Sequence, residues 1–83
     1  MDRDQERRHL VAADLHIAKL KEHIVSQRSI ITKLRLASAP TQTARLTLET
    51  ARSMLEALEG SLRVFERHRE LILDNLGTNE GTA

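Results

Sequence analysis

The first half of the chain carries apolar residues at alternating steps of three and four, the spacing of one face of an α-helix. In heptad notation its a positions are Leu10, Ile17, Ile24 and Ile31, and its d positions are Ala13, Leu20, Gln27 and Leu34. Gln27 is the polar member of this pattern. The pattern predicts a first helix over about residues 3 to 37, which Asp2 or Asp4 can cap.

A second heptad pattern follows a break in the sequence. Pro40 cannot continue a helix interior, so we expect a turn over about residues 38 to 42. Thr41 or Thr43 can cap a second helix over about residues 43 to 76. Its a positions are Leu48, Leu55, Leu62, Arg69 and Leu76, and its d positions are Ala44, Ala51, Leu58, Phe65 and Ile72. Because the turn is short, the two helices must run antiparallel.

The sequence therefore predicts an all-α fold, a coiled-coil-like antiparallel hairpin of two helices in a single domain over residues 1 to 76. Gly77 is typical of the position after a helix end, and we expect residues 77 to 83 to form a disordered tail. The expected facing pairs are Leu10 with Ile72, Ile17 with Phe65, Ile24 with Leu58, and Leu34 with Leu48. A slip of one heptad from this register stays open.

Two polar residues interrupt the predicted seam. Arg69 is expected near Ala13, where its guanidinium can reach Asp14 or Glu6. Gln27 is expected near Leu55. A polar residue at such a position more often sets the register or the number of partners than performs chemistry.

Several apolar residues lie outside the predicted seam, and we expect them to pack against another protein surface. They are Val11, Leu15, Ala18 and Val25 on the first helix, and Met54, Val64, Leu71 and Leu73 on the second. A chain of 83 residues without cysteine also lacks the disulfides that stabilise many small domains. We therefore expect a homodimer in which two hairpins form a four-helix bundle; a lone hairpin and a higher oligomer stay open.

All four histidines occupy g positions beside the predicted seam; they are His9, His16, His23 and His68. Steps of seven residues separate the first three by about 10.5 Å each, too far to share one metal ion. The expected register places His16 across from His68, and the slipped register places His9 there. A zinc or copper site would need further ligands from a second chain, so these histidines are only candidate ligands and no cofactor is expected.

The histidines have two other interpretations. As a pH sensor, their protonation would weaken the oligomer below about pH 6. As boundary residues, the imidazoles would fill the edge of the core and hydrogen-bond to water or to Ser61, which is expected opposite His23.

Charge is unevenly distributed, although the net charge is only +1. Between Glu22 and Glu49 the charged residues are all basic: Arg28, Lys33, Arg35 and Arg45. This predicts a basic turn end. A nucleic-acid accessory role is disfavoured, because Phe65 is the only aromatic residue available to stack on bases.

The sequence favours neither an enzyme nor a membrane protein. It has no phosphate-binding loop and no dinucleotide fingerprint, and no third group is positioned to orient a pair of Ser61 and His23. No run approaches the roughly 18 to 20 apolar residues of a membrane span. With no cysteine and no signal-like start, we expect a soluble cytoplasmic protein without catalytic residues.

Two short motifs carry a resemblance to a known group. They comprise His16, His23, Ile24, Gln27, Arg28 and Ile31 on the first helix, and His68, Arg69, Glu70 and Leu71 on the second. Over about residues 10 to 76 the chain resembles short helical proteins of rhizobia-like alphaproteobacteria. The resemblance implies a bacterial source and a two-helix architecture, and it brings no activity or ligand.

The pattern as a whole favours a self-associating structural or adaptor protein that binds other proteins. The alternatives are a histidine-based metal or pH sensor at the seam and a weak nucleic-acid accessory protein that uses the basic turn end.

Overall fold

The structure consists of two α-helices joined into a hairpin. The computed structural model describes residues 3–37 and 41–81, with side chains as far as residue 77. Helix α1 spans Arg3–Ala37 and helix α2 spans Gln42–Gly81. The helices pack against each other into a rod of 64 × 14 × 14 Å, with no strand in the described part. The predicted all-α hairpin is confirmed.

Thr41 caps the start of α2. Its hydroxyl oxygen accepts a hydrogen bond from the backbone N–H of Ala44 at 3.1 Å, and its carbonyl accepts one from the N–H of Arg45 at 3.1 Å. These bonds satisfy donors that the first helical turn leaves free. Thr43, the other predicted cap, is already helical, and its carbonyl accepts a bond from the Thr47 hydroxyl at 2.9 Å. Of the two threonines, Thr41 is therefore the cap.

The beginning of the chain and part of the predicted turn lie outside the described residues. Asp2, one of the two predicted caps, lies outside them, as do residues 38–40 of the predicted turn. Asp4 lies within the first turn of α1, where its negative charge interacts favourably with the positive end of the helix dipole.

The C-terminal end of α2 differs from the sequence prediction. The helix was expected to end at about residue 76, with disorder from Gly77 onward, yet α2 continues to Gly81. A glycine ends a helix by adopting a left-handed conformation, and no described glycine has a positive φ angle. Gly77 therefore remains in the helix at a modest cost in propensity. Thr82 and Ala83 lie outside the described residues.

The core is the seam between α1 and α2. All its buried apolar side chains occupy predicted a or d positions: Ala13, Ile17, Ile24, Ile31, Ala51, Ile72 and Leu76. The remaining leucines of the seam are only half-buried, because two helices enclose a seam from two sides and leave its flanks open. A cluster of buried residues lies at the open end, where Leu10 packs against Ala13, Ile72 and Leu76.

Polar contacts across the seam show which residues of α1 face which residues of α2. Arg69 Nε donates a hydrogen bond to Asp14, one of the two carboxylates predicted for it. The buried Gln27 donates from Nε2 to the Ala51 carbonyl at 2.9 Å, one turn before the predicted Leu55. Together with the packing of Leu10 near Ile72, these contacts match the first predicted register. A slip of one heptad would separate such pairs by about 10 Å.

Candidate interaction surface

The two open flanks of the hairpin differ sharply in charge. Positions e and b of both helices form one side, here called the charged flank, and positions g and c form the other, the histidine flank. Between residues 4 and 37 and between residues 43 and 77, fourteen of twenty positions on the charged flank carry a formal charge. On the histidine flank two of twenty do, and both are lysines of α1. The g and c positions of α2 carry none.

Ion pairs between α1 and α2 form on the charged flank. Arg28 contacts Glu59 at 3.0 Å, and Arg69 contacts Asp14. Both pairs are largely open to solvent, where each contributes only about 0–1 kcal/mol to stability. Two shallow grooves of about 450 and 370 Å³ lie between these charges, and Lys21 lines both. Covering this flank would remove many charges from water, so its composition is typical of a solvent-facing surface.

All four histidines occupy g positions, which belong to the histidine flank. His16 packs against the seam: its ring stacks on Phe65 with ring centroids 5.3 Å apart and planes inclined by 12°. The register brings His16 to the level of His68, one turn beyond Phe65 on α2. All four histidines are exposed in the single hairpin. The imidazole of His16 also stacks on the half-buried Phe65 at the edge of the seam.

The described residues of one hairpin do not assemble a metal site. Among them, no three His, Asp or Glu side chains lie close enough together to hold an ion. His9, His16, His23 and His68 therefore remain candidate ligands that would need residues from a second chain. The metal and pH-sensor hypotheses stay predictions.

An apolar groove of about 500 Å³ opens on the histidine flank near the turn. Ile30 and Leu34 of α1 form one wall, and Leu46, Thr47 and Met54 of α2 form the other. At its base the Gln27 amide donates a hydrogen bond to the backbone carbonyl of Ala51, whose small side chain leaves room that a larger d residue would fill.

The groove walls are exposed in the single hairpin. Ile30 is 46% exposed, and Leu46 and Met54 are each 54% exposed. Of these three residues, only Met54 was among the apolar residues that the sequence placed outside the seam. A count of charges on each flank would have singled out this surface.

The apolar residues predicted to lie outside the seam are exposed, and they divide between surfaces. Val64 and Leu71 lie on the histidine flank, whereas Val11, Val25 and Leu73 stand among the ion pairs of the charged flank. Only the histidine flank therefore combines exposed apolar side chains with few charges.

The basic turn end offers no stacking surface to a nucleic acid. Phe65, the only aromatic residue, lies at the level of Ile17, far along the hairpin from the turn. Arg28 also pairs with Glu59, which offsets one of the four positive charges. The nucleic-acid role stays an untested prediction that nothing in the geometry favours.

Neither described helix combines the length and the apolar character needed to cross a membrane. Comparison of the chain with known proteins gives no match to a family model, to a curated protein or to a solved structure.

Proposed function

We propose that this chain is a helical assembly module that pairs with a second copy of itself through the histidine flank. The pair forms a four-helix bundle whose outer surfaces bind other proteins, as an adaptor does. The observation that carries this proposal is the stripe of g and c positions on α2, which has no formal charge from residue 43 to residue 75. A solvent-facing helix surface of that length normally carries charged residues.

Burial of the groove walls supplies a driving force for pairing. Complete burial of a large apolar side chain contributes about 1.5–3 kcal/mol. Ile30, Leu46 and Met54 are about half exposed, so covering them contributes roughly 1 kcal/mol each. Val64 and Leu71 on the same flank add to this. The charged flank offers less, because its ion pairs would lose their hydration on burial.

A second copy of the same chain is the partner that covers the histidine flank in this proposal. In a dimer with two-fold symmetry the same surface serves both partners, and a flank with few charges meets its copy without repulsion. The charged flank and the f positions away from the groove stay exposed in this arrangement; Leu46, at f on α2, is covered as part of the groove. Leu15 and Leu36, which lie at f, are then available to a further protein.

Solvent protection of the two surfaces tests the proposal. The chain has no cysteine, so one introduced thiol reports one position. Ser61 lies at g on the histidine flank and Ser53 lies at f on the outer surface, and both are exposed in the single hairpin. We expect the thiol of Ser61→Cys to react with a maleimide at least about tenfold more slowly than that of Ser53→Cys in concentrated solution.

The same comparison contains its own control. On dilution, dissociation should bring the reaction rate of the Ser61→Cys thiol up to that of the Ser53→Cys thiol. Equal rates for both variants at every concentration would contradict pairing through the histidine flank.

A further inference from the structure

We infer that the outer surface of α1 is a docking site for a helix of another protein, an amphipathic helix with acidic residues along both edges of its apolar face. This inference rests on the adaptor role in the proposed function and names the kind of partner. It is carried by an apolar stripe on α1, by the basic residues that border the stripe, and by the contrast with α2.

The b and f positions of α1 form an exposed stripe on the side away from α2, here called the outer stripe. From residue 11 to residue 36 its eight positions follow at alternating steps of four and three, the spacing of a coiled-coil seam. They are Val11, Leu15, Ala18, Glu22, Val25, Ser29, Thr32 and Leu36, and all are exposed. Only Glu22 is charged, and the Thr32 hydroxyl already donates a hydrogen bond to the Arg28 carbonyl at 3.1 Å. The outer stripe therefore has the pattern of a second seam about 37 Å long.

The same positions of α2 have a different composition. Between residues 49 and 74, six of the eight b and f positions of α2 are charged. They are Glu49, Glu56, Arg63, Arg67, Glu70 and Asp74. Such a surface is typical of a helix that faces solvent. The outer surface of α2 in a second copy is therefore a poor partner for the outer stripe.

Basic side chains border the outer stripe on both sides. Its neighbouring positions are c and e, and between residues 12 and 35 five of these eight positions are basic. The five are Lys19, Lys21, Arg28, Lys33 and Arg35. Asp14 is the one acidic residue at these positions, and it contacts Arg69. Arg28 contacts Glu59, whereas the three lysines make no ion pair within the described residues.

These border charges favour an acidic partner. Each border position lies three or four residues from a position of the stripe, so the Cβ atoms are about 5–6 Å apart, within the screening length of about 8 Å. Residues beside a coiled-coil seam form ion pairs that determine which helices associate. Basic borders therefore repel a second copy of the outer stripe and attract a helix whose borders carry Glu or Asp. The charges stay at the edge of the contact, where they keep most of their hydration.

The width of the outer stripe favours a helix over an anionic lipid surface. A helix that lies in a membrane interface buries a broad apolar face, commonly with aromatic residues. The outer stripe has two positions in each heptad and no aromatic residue. An apolar face that is restricted to two positions in each heptad is the pattern of a helix-to-helix seam.

Two synthetic peptides test the docking site. The acidic peptide has four heptads with leucine at a and d, glutamate at e and g, and alanine elsewhere; the basic peptide has lysine in place of glutamate. Repulsion between its own glutamates disfavours self-pairing of the acidic peptide. We expect the acidic peptide to bind the whole chain and to become more helical, as fluorescence anisotropy and circular dichroism measure. Added salt should weaken this binding, and the basic peptide should not bind.

Val25→Glu and Val64→Glu are matched variants. The two valines are 67% and 68% exposed, but Val25 lies in the outer stripe and Val64 lies on the histidine flank. Val25→Glu should raise the dissociation constant of the acidic peptide at least about tenfold and leave the mass of the dimer unchanged, because the new charge repels the peptide. Val64→Glu should lower the mass of the dimer and leave peptide binding unchanged.

Three results would overturn the docking site and leave pairing through the histidine flank standing. They are absence of binding by the acidic peptide, equal binding of the two peptides, and equal weakening of peptide binding by the two variants. Binding of the chain to vesicles of phosphatidylcholine and phosphatidylserine, without binding of the acidic peptide, would overturn it in favour of a lipid surface. A monomeric mass together with peptide binding that Val25→Glu removes would instead overturn the pairing and support the docking site.

Discussion

Replacing Ile72 by alanine is expected to lower the free energy of unfolding by about 3 kcal/mol. Ile72 is the most buried large side chain of the seam, at 3% exposure, and packs with Ala13, Leu76 and Leu10. Truncation removes the transfer free energy of its methyl and methylene groups and leaves a cavity that the antiparallel helices close only in part. A small core supplies roughly 3–5 kcal/mol, so the substitution should remove most of the stability.

Urea unfolding followed by far-UV circular dichroism measures this loss. Val25→Ala is the control. Val25 is also β-branched and follows the seam residue Ile24 in the sequence, but its side chain is 67% exposed. Its effect should stay within about 0.5 kcal/mol. Both variants should be compared at the same chain concentration, since self-association adds to the stability measured. Equal losses for the two variants would mean that the seam is not the core.

Replacing Met54 by glutamate is expected to abolish pairing while leaving the hairpin helical. Met54 lies in the groove of the histidine flank and outside the seam, so the charge would be buried only when a second copy binds. Burying an unpaired carboxylate costs several kcal/mol. We therefore expect the dissociation constant of the dimer to rise by at least about a hundredfold, which corresponds to about 2.8 kcal/mol.

Leu15→Glu is the matched control for this substitution. Leu15 is 55% exposed against 54% for Met54, but it lies at f on the outer surface of α1. Light scattering over a dilution series should show a dimer for Leu15→Glu and a monomer for Met54→Glu. If both substitutions weakened association equally, the histidine flank would not be the contact surface.

Much of the fold could be predicted because heptad positions determine it. Helix packing requires apolar residues at a and d, and a short turn leaves only an antiparallel arrangement. The observed contact of Arg69 with Asp14 is one of the two that this arrangement allowed. The end of α2 was not predictable in this way. Gly77 costs about 1 kcal/mol in a helix and caps only if it becomes left-handed, and the sequence does not decide between these states.

The candidate site was predicted less completely than the fold. Heptad positions place all four histidines at g, and all four are exposed in the single hairpin. The stacking of His16 on Phe65 was not predicted, because Phe65 was expected to face only Ile17. In a seam that is open at its flanks, a large side chain at d, such as Phe65, can also contact the g residue of the facing helix, here His16. The groove depends on the small Ala51 opposite Gln27, a matter of side-chain volume that periodicity does not record.

Sedimentation equilibrium of the unmodified chain tests the central claim most directly. Pairing through the histidine flank predicts a mass of twice the 9.4 kDa of one chain, decreasing toward 9.4 kDa on dilution. A mass of 9.4 kDa at every concentration, with the helices intact by circular dichroism, would contradict it.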